Sequence, residues 1–240
     1  MTTVGLLHPG HSAEDDFPRM EVLLDSDIRL AIVHTGAGED VQRVGALLSM
    51  GAADRLAAGV EELRLAGAES VVWACASGSF VYGWEGAHQQ IRALARTAGL
   101  PASSTSFAFV HAARKLGATR VAVASATYPE DITAHFTEFL ASGGLDVVAA
   151  RGGEVPMEEA VGWGFEEVLE LARAGDVPSA EVVVVPDAVL HTVGWLGELE
   201  EGVGKPVLTA NQVTVWEGLR LADRRTWAHH LGRLFAKPSP

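Results

Sequence analysis

The sequence contains a short apolar run that ends in a turn of small residues, Ala68-Glu69-Ser70-Val71-Val72-Trp73-Ala74-Cys75-Ala76-Ser77-Gly78-Ser79. The run has the composition of a buried strand, and the turn leaves Cys75 at the carboxyl end of that strand. Open α/β sheets carry their binding and catalytic groups at this edge. Two interpretations follow for the chain's only cysteine: a thiol that serves as nucleophile or proton carrier, or a small apolar side chain packed in the core.

Similar apolar runs alternate with longer amphipathic stretches along the whole chain. Strands separated by helices are typical of βαβ units, so the predicted fold class is α/β with parallel sheets flanked by helices. The predicted strands are residues 4–7, 28–34, 70–74, 120–124, 146–149 and 181–185. The predicted helices are residues 41–65, 89–98, 129–142 and 157–174.

The two halves of the chain share three short segments in the same order. Residues 4–7 align with 121–124, residues 68–75 with 180–187, and residues 99–103 with 204–208. Cys75 then pairs with Asp187, and Ser79 pairs with His191. This repetition predicts two similar α/β lobes, related by a pseudo-twofold axis, with Cys75 and Asp187 facing each other across a central cleft.

These matches also suggest how the chain is divided. We expect an N-terminal α/β lobe over residues 1–117, which includes a crossing helix near residues 106–116. A C-terminal α/β lobe is expected over residues 118–222, and a C-terminal helix and tail over residues 223–240.

Composition and charge exclude several classes of partner. The 240 residues are 48% hydrophobic and carry a formal net charge of −13, so nucleic acid and anionic membrane surfaces would repel the protein. A single cysteine excludes a disulfide within the chain. The first apolar run, residues 4–7, is too short for a signal peptide, and no run reaches the roughly 20 residues of a transmembrane helix. We therefore expect a cytoplasmic protein.

The sequence gives little support for a metal site. His8 and His11 lie close to Asp15 and Asp16 and offer ligand types that metals use. No later segment completes a convincing ligand set by spacing, so we predict that the protein binds no metal.

Several motifs together resemble the Asp/Glu racemase superfamily, most closely its branch of maleate cis–trans isomerases and arylmalonate decarboxylases. The resemblance covers nearly the whole chain. It implies two pseudo-symmetric α/β lobes with the active site between them, an enzyme without cofactor or metal, and association into a homo-oligomer. The motifs are residues 74–79, Tyr128-Pro129 after the strand at 120–124, and Gly204-Lys205-Pro206-Val207-Leu208-Thr209-Ala210-Asn211-Gln212 with Trp216.

The same resemblance assigns roles to individual positions. Cys75 corresponds to the first catalytic cysteine of the superfamily, and Asp187 stands where a second cysteine would be. Tyr128 corresponds to a tyrosine that donates to a carboxylate or enolate oxygen. The positions expected to bind the substrate are Ala76 and Ser77 in the turn after Cys75, Ala188 through its N–H group, and Ser12. Ser12 is the nearest match in this sequence to an asparagine that maleate isomerases carry in their first loop.

Three of these residues also have simpler interpretations. Asp187 could act as a general acid or hydrogen-bond donor to the substrate, or it could cap a helix that begins after it. Tyr128 could be an exposed turn residue. His191 could supply positive charge to a carboxylate, or it could lie on a helix surface.

Cys75 and the predicted cleft between the lobes leave three functional hypotheses. The first is cis–trans isomerisation of a small, maleate-like dicarboxylate, in which the cysteine adds to the double bond. The second is decarboxylation of an aryl- or alkylmalonate, in which Cys75 donates a proton to the product carbanion. The third is a protein that binds a small acid without converting it. Since a two-cysteine racemase needs a second thiol, that activity is disfavoured.

Overall fold

In a computed structural model, described for residues 1–10, 13–25, 27–36, 43–225 and 227–237, the chain forms two parallel sheets. In this part of the chain each sheet has four strands, and both sheets have the same strand order, β2-β1-β3-β4 and β6-β5-β7-β8. The first sheet consists of β1 (Thr2–His8), β2 (Ile28–His34), β3 (Ser70–Trp73) and β4 (Ala102–Ser104). The second consists of β5 (Arg120–Ala124), β6 (Asp146–Arg151), β7 (Val182–Val185) and β8 (Val207–Thr209).

The two sheets also share their register. Val4 of β1 pairs with Ser70 of β3, and the aligned residues of the second half pair in the same way, Val121 with Val182. The pairing of β3 with β4 is repeated in β7 with β8, where Val71↔Ala102 becomes Val183↔Val207. The predicted two-lobed, pseudo-symmetric fold is therefore confirmed at the level of individual residue pairs.

The helices cover the sheets and connect successive strands. Gly51 and Gly59 lie at breaks within the predicted helix 41–65, whose described part forms three short helices. Residues 157–174 form two helices separated by a segment that contains Gly162 and Gly164. The helices are α1 (Asp16–Leu23), α2 (Val44–Met50), α3 (Ala53–Ala58), α4 (Val60–Leu65), α5 (Ser77–Phe80), α6 (Gly83–Ala98), α7 (Thr105–Lys115), α8 (Glu130–Ser142), α9 (Met157–Ala160), α10 (Phe165–Gly175), α11 (Leu196–Val203) and α12 (Ala210–Leu221).

Helices α7 and α12 join the two halves. They pack against each other, and both contact β4 and β8. Thr105 and Thr214 share a buried hydrogen bond of 2.6 Å between the two helices, and the Ser70 hydroxyl donates to the Gly218 carbonyl at 2.8 Å. One apolar core consequently contains residues of both sheets, including Val4, Val71 and Val184.

A smaller core covers the other face of the second sheet. Val183 and Val185 of β7 belong to it, whereas Val182 and Val184 belong to the main core, as the alternation of a strand requires. Among the described residues, no helix is both long and apolar enough to cross a membrane.

Candidate active site

The candidate site lies at the carboxyl ends of the central strands of both sheets. In each sheet the chain proceeds from the first central strand to one side and then returns to the other side, which creates a topological switch point where α/β proteins bind ligands. A cavity of about 470 Å³ opens there. The strand ends contribute His8, Pro9 and Gly10 after β1, residues 74–77 after β3, Thr127 and Tyr128 after β5, and residues 187–189 after β7; Met50, Met157, Glu158 and Val161 complete its described lining.

Cys75 projects into this cavity with hydrogen-bond donors around its sulfur. The Gly78 N–H donates to Sγ at 3.3 Å, and the Ser77 hydroxyl oxygen is 3.6 Å from Sγ. Burial raises the pKa of the Cys75 thiol, and these donors oppose that increase without cancelling it. The thiol is therefore neutral at pH 7, in surroundings that can stabilise negative charge on sulfur as a reaction proceeds.

Neighbouring side chains hold the turn after Cys75 in place. The Gln90 amide donates to the carbonyl oxygens of Gly78 at 2.8 Å and Gly51 at 2.7 Å, which joins the turn to the end of α2. The Ser106 hydroxyl donates to the Ala76 carbonyl at 2.7 Å. These side chains satisfy two buried carbonyl groups of the turn and so fix the backbone that carries the thiol.

Asp187 is buried and accepts four hydrogen bonds from residues that follow β5. Its Oδ1 accepts from the hydroxyls of Ser125 at 2.8 Å and Thr127 at 2.7 Å and from the Thr127 N–H at 2.9 Å, while its Oδ2 accepts from the Ala126 N–H at 3.2 Å. Burial raises the pKa of this carboxyl group, and the hydrogen bonds partly offset the effect. The helix-cap interpretation is wrong, because residues 188–190 form a turn and the carboxylate binds the 125–127 segment instead.

Tyr128 directly follows the 125–127 segment that binds Asp187. It is buried rather than exposed, so the exposed-turn interpretation is wrong, and its phenol donates to the Pro186 carbonyl at 3.3 Å. Burial raises the pKa of Tyr128 well above its usual value, and nearby Asp187 and Cys75 raise it further. The phenol stays protonated at neutral pH, so it remains a hydrogen-bond donor, with its one O–H directed at the Pro186 carbonyl.

The remaining predicted site residues fall into three groups. Ala76, Ser77 and Ala188 line the cavity, as does Cys75. His191 is absent from the described lining, because its Nδ1 pairs with Asp15 at 3.0 Å. Ser12 lies outside the described residues.

Several residues that the sequence analysis did not identify also shape the site. Thr127 lines the cavity beside Asp187 and donates to its carboxylate, and Met50, Met157, Val161 and Val189 give the cavity an apolar wall. No lysine or arginine is present in the described lining. The sequence carried no local signal for these residues, because they are brought together from distant segments.

One group near the site has metal-ligand types. A nitrogen of His8, a nitrogen of His34 and an oxygen of Glu14 lie within 4.8 Å of one another. His34 Nε2 and Glu14 Oε2 form a 2.6 Å hydrogen bond, and the Gly10 N–H donates to His8 Nδ1 at 3.3 Å. An Nδ1 that accepts a hydrogen bond places the single proton of a neutral His8 imidazole on Nε2, so Nε2 is not a ligand atom in that tautomer.

Comparison with known proteins identifies relatives of two activities. A maleate isomerase of Geobacillus stearothermophilus is 26% identical over 138 residues, which is 57% of this chain and 55% of that protein. An arylmalonate decarboxylase of Bordetella bronchiseptica is 29% identical over 147 residues, which is 60% of this chain and 61% of that protein. The chain thus matches less than two thirds of the length of either relative.

Solved structures extend the likeness to the whole chain. A cysteine-to-serine variant of the maleate cis–trans isomerase of Nocardia farcinica, with a covalently bound succinylcysteine intermediate, superimposes with a TM-score of 0.86. It is 22% identical and covers 99% of each chain, which establishes the common fold. The model of the arylmalonate decarboxylase family matches residues 36–235. The predicted resemblance is therefore confirmed, and the chain belongs to the arylmalonate decarboxylase family.

Proposed function

We propose that this protein is a cofactor-independent enzyme that converts a small cis-enedioate, of the maleate class, into its trans isomer. The observation that supports this proposal best is the position of Cys75. The only thiol of the chain lies in the inter-sheet cavity, and its sulfur faces the Gly78 N–H and the Ser77 hydroxyl. The succinylcysteine in the structural relative from Nocardia farcinica supports a cysteine adduct on this fold.

The reaction needs no external reagent. The Cys75 thiol adds across the carbon–carbon double bond: a carbon–sulfur bond forms at one carbon, and the proton that sulfur loses ends on the other. The former double bond is now single and can rotate. Loss of the same proton and cleavage of the carbon–sulfur bond then release the trans isomer and regenerate the thiol.

Donors around the cavity suit the charge that this addition creates. Attack by sulfur pushes electrons onto the neighbouring carboxylate and generates an enediolate. We assign to this enediolate the Ser77 hydroxyl, the N–H groups of the turn at Ala76 and Ser77, and the Tyr128 phenol, whose O–H would turn from the Pro186 carbonyl to the substrate. One well-placed donor of this kind contributes about 3–4 kcal/mol to transition-state stabilisation.

A second candidate is decarboxylation of a substituted malonate. The buried, neutral thiol of Cys75 favours it, because a proton donor must hold its proton until the carbanion forms. The apolar wall of Met50, Met157, Val161 and Val189 could accommodate an aryl or alkyl substituent. In this reaction the bond between the central carbon and one carboxylate breaks, CO2 leaves, and the electron pair of that bond stays on the substrate as an enediolate. The enediolate then takes the proton of Cys75, and water reprotonates the Cys75 thiolate.

Proton NMR in D2O separates these possibilities. The native protein and Cys75→Ser are each incubated with maleate and with a set of aryl- and alkylmalonates. We expect fumarate from maleate with the native protein only. A monoacid deuterated at its α-carbon, formed from a malonate, would establish the decarboxylase instead. Binding of these acids without turnover would favour the non-catalytic role, and equal turnover by Cys75→Ser would refute both mechanisms.

We assign Asp187 a positioning role, since four donors of the 125–127 segment occupy its oxygens. Asp187→Asn replaces one acceptor oxygen by an amide donor and should lower the free energy of unfolding by about 1.5–3 kcal/mol. Turnover should fall together with stability, because Tyr128 follows this segment directly. Urea unfolding and steady-state turnover are the measurements, with the exposed Asp146→Asn as control. Lost turnover at native stability would instead identify Asp187 as a general acid.

A further inference from the structure

A second cavity, of about 520 Å³, lies away from the candidate active site. It is bordered by the carboxyl-terminal ends of α7 and α12 and by the segment that follows α12. At the other end of α7, the Ser106 hydroxyl supports the turn that carries Cys75. Lys115 lies nine positions after Ser106 along α7, a rise of about 14 Å. The described linings of the two cavities have no residue in common.

The second cavity is rich in cations, although the chain is strongly acidic. Arg220 is neutralised by the buried Glu217, with two contacts of 2.8 Å. Arg224 pairs with Asp25 and Asp27 at 3.0 and 2.7 Å. Within the part of the chain that the structure describes, Lys115 and Arg225 form no ion pair. Two positive charges are therefore left to interact with a ligand.

Apolar groups form the rest of this cavity. Leu219, Leu234 and Phe235 are buried beneath it, and the half-buried Trp216 lies beside them. Trp227 is 42% exposed, although its large indole would gain by burial. A ligand that packed against this indole would remove apolar surface from water.

We propose that the second cavity is a binding site for a small organic acid that combines an apolar or aromatic body with one anionic group. The body would pack against Trp216 and Trp227, and the anion would bind Lys115 and Arg225. The volume lies within the range of small-ligand sites. Arg220 and Arg224 are already paired with carboxylates, so the anion is directed to Lys115 and Arg225, which have no carboxylate partner among the described residues.

Calorimetric titration with 4-phenylbutyrate tests this proposal. The comparison uses Lys115→Gln/Arg225→Gln and a matched control, Arg55→Gln/Arg96→Gln, which removes the same charge from exposed arginines elsewhere. We expect the native protein and the control to bind the probe alike. The cavity variant should lose affinity by about tenfold or more, because hydrogen bonds to charged groups are removed.

Three results would overturn the proposal. The first is no binding by the native protein, and the second is an equal loss in both double variants, which would reflect net charge alone. The third concerns location: Cys75, as the only cysteine, reports on the first cavity through its alkylation rate. If the probe slowed the alkylation of Cys75 equally in the native protein and in the cavity variant, the probe would bind in the catalytic cavity and not in the second one.

Sedimentation of the native protein and the cavity variant completes the test. We expect the two to have the same mass in solution. A native dimer that dissociates on Lys115→Gln/Arg225→Gln would make this face an interface between copies of the chain and would exclude the small acid as its occupant.

Discussion

Two opposing influences act on the sulfur of Cys75. Burial removes water and favours the neutral thiol, whereas the Gly78 N–H at 3.3 Å favours the thiolate. Gly78 is suited to this contact, since a Cβ at this position would lie 3.3 Å from the sulfur and 3.0 Å from the Trp73 ring. The net effect is a protonated group that is stabilised as it loses its proton.

The alkylation rate of Cys75 should therefore depend on pH in a defined direction. Because the thiolate is the nucleophile and the folded-state pKa is raised, the midpoint of the rate profile should lie above that of the same chain unfolded in urea. At neutral pH the folded protein should react slowly with iodoacetamide. Mass spectrometry gives the rates, and the unfolded chain is the control. A folded-state midpoint below the unfolded one would contradict this account of the site.

At the scale of elements, the turn after Cys75 depends on its contact with the end of α2. Gly51 lies against Gly78 so closely that a Cβ at residue 51 would overlap the Gly78 carbonyl oxygen. Gln90 donates to both carbonyls and fastens the two segments. The chain before Gly51 therefore helps to determine where the thiol stands.

Gly51→Ala should displace this turn. We expect a loss of about 1–3 kcal/mol in the free energy of unfolding, because the core has no room for the methyl group, together with lower turnover. Gly45→Ala, in α2 itself, meets nothing within 4 Å and should be stabilising by about 0.5–1 kcal/mol. Urea unfolding and activity assays compare the two variants. Equal behaviour of the pair would show that the close contact is unimportant.

The elements differ in how far the sequence predicted them. Strands 28–34 and 120–124 were predicted with the bounds that the structure shows, because each is a mainly apolar run that pairs with a neighbouring strand. Strands β4 and β8 were missed as strands, since each has three residues and they include Ser103, Ser104 and Thr209. The repeated segments 99–103 and 204–208 overlap both strands, but the repeat was used only to infer the duplication.

The site was predicted in part because apolar strands can be recognised in the sequence. Cys75, Tyr128 and Asp187 each follow a recognisable apolar strand, and the structure brings all three to one cavity. The hydrogen bonds from Ser125 and Thr127 to Asp187 join residues that are about 60 positions apart, so no local sequence pattern predicted them. The division of the chain at residues 117 and 222 stays a prediction.

In the whole molecule, the two sheets share one main core. Helix α12 follows the last strand of the second sheet, yet it packs on β1 and β3 of the first. Gly218 lies so close to Val4 of β1 that a Cβ there would overlap the buried valine side chain. A defect at this contact should therefore affect both halves together.

Gly218→Ala should lower the melting temperature of the entire protein in a single transition. The expected loss is about 1–3 kcal/mol, because Val4 is fully buried and cannot move aside freely. Circular dichroism and tryptophan fluorescence should give coincident melting curves. Gly197→Ala in α11, which has no heavy atom within 4 Å of its added Cβ, is the control. Two separate transitions would show that the halves unfold independently.

The repeated register of the two sheets has a consequence for the handedness of any product. The duplicated halves contribute equivalent strand ends to the lining of one cavity, but only the first half carries a thiol. A planar enediolate bound in this cavity with one prochiral face toward Cys75 would receive the thiol proton on that face alone. If Cys75 delivers the proton, a substituted malonate should yield a single enantiomer.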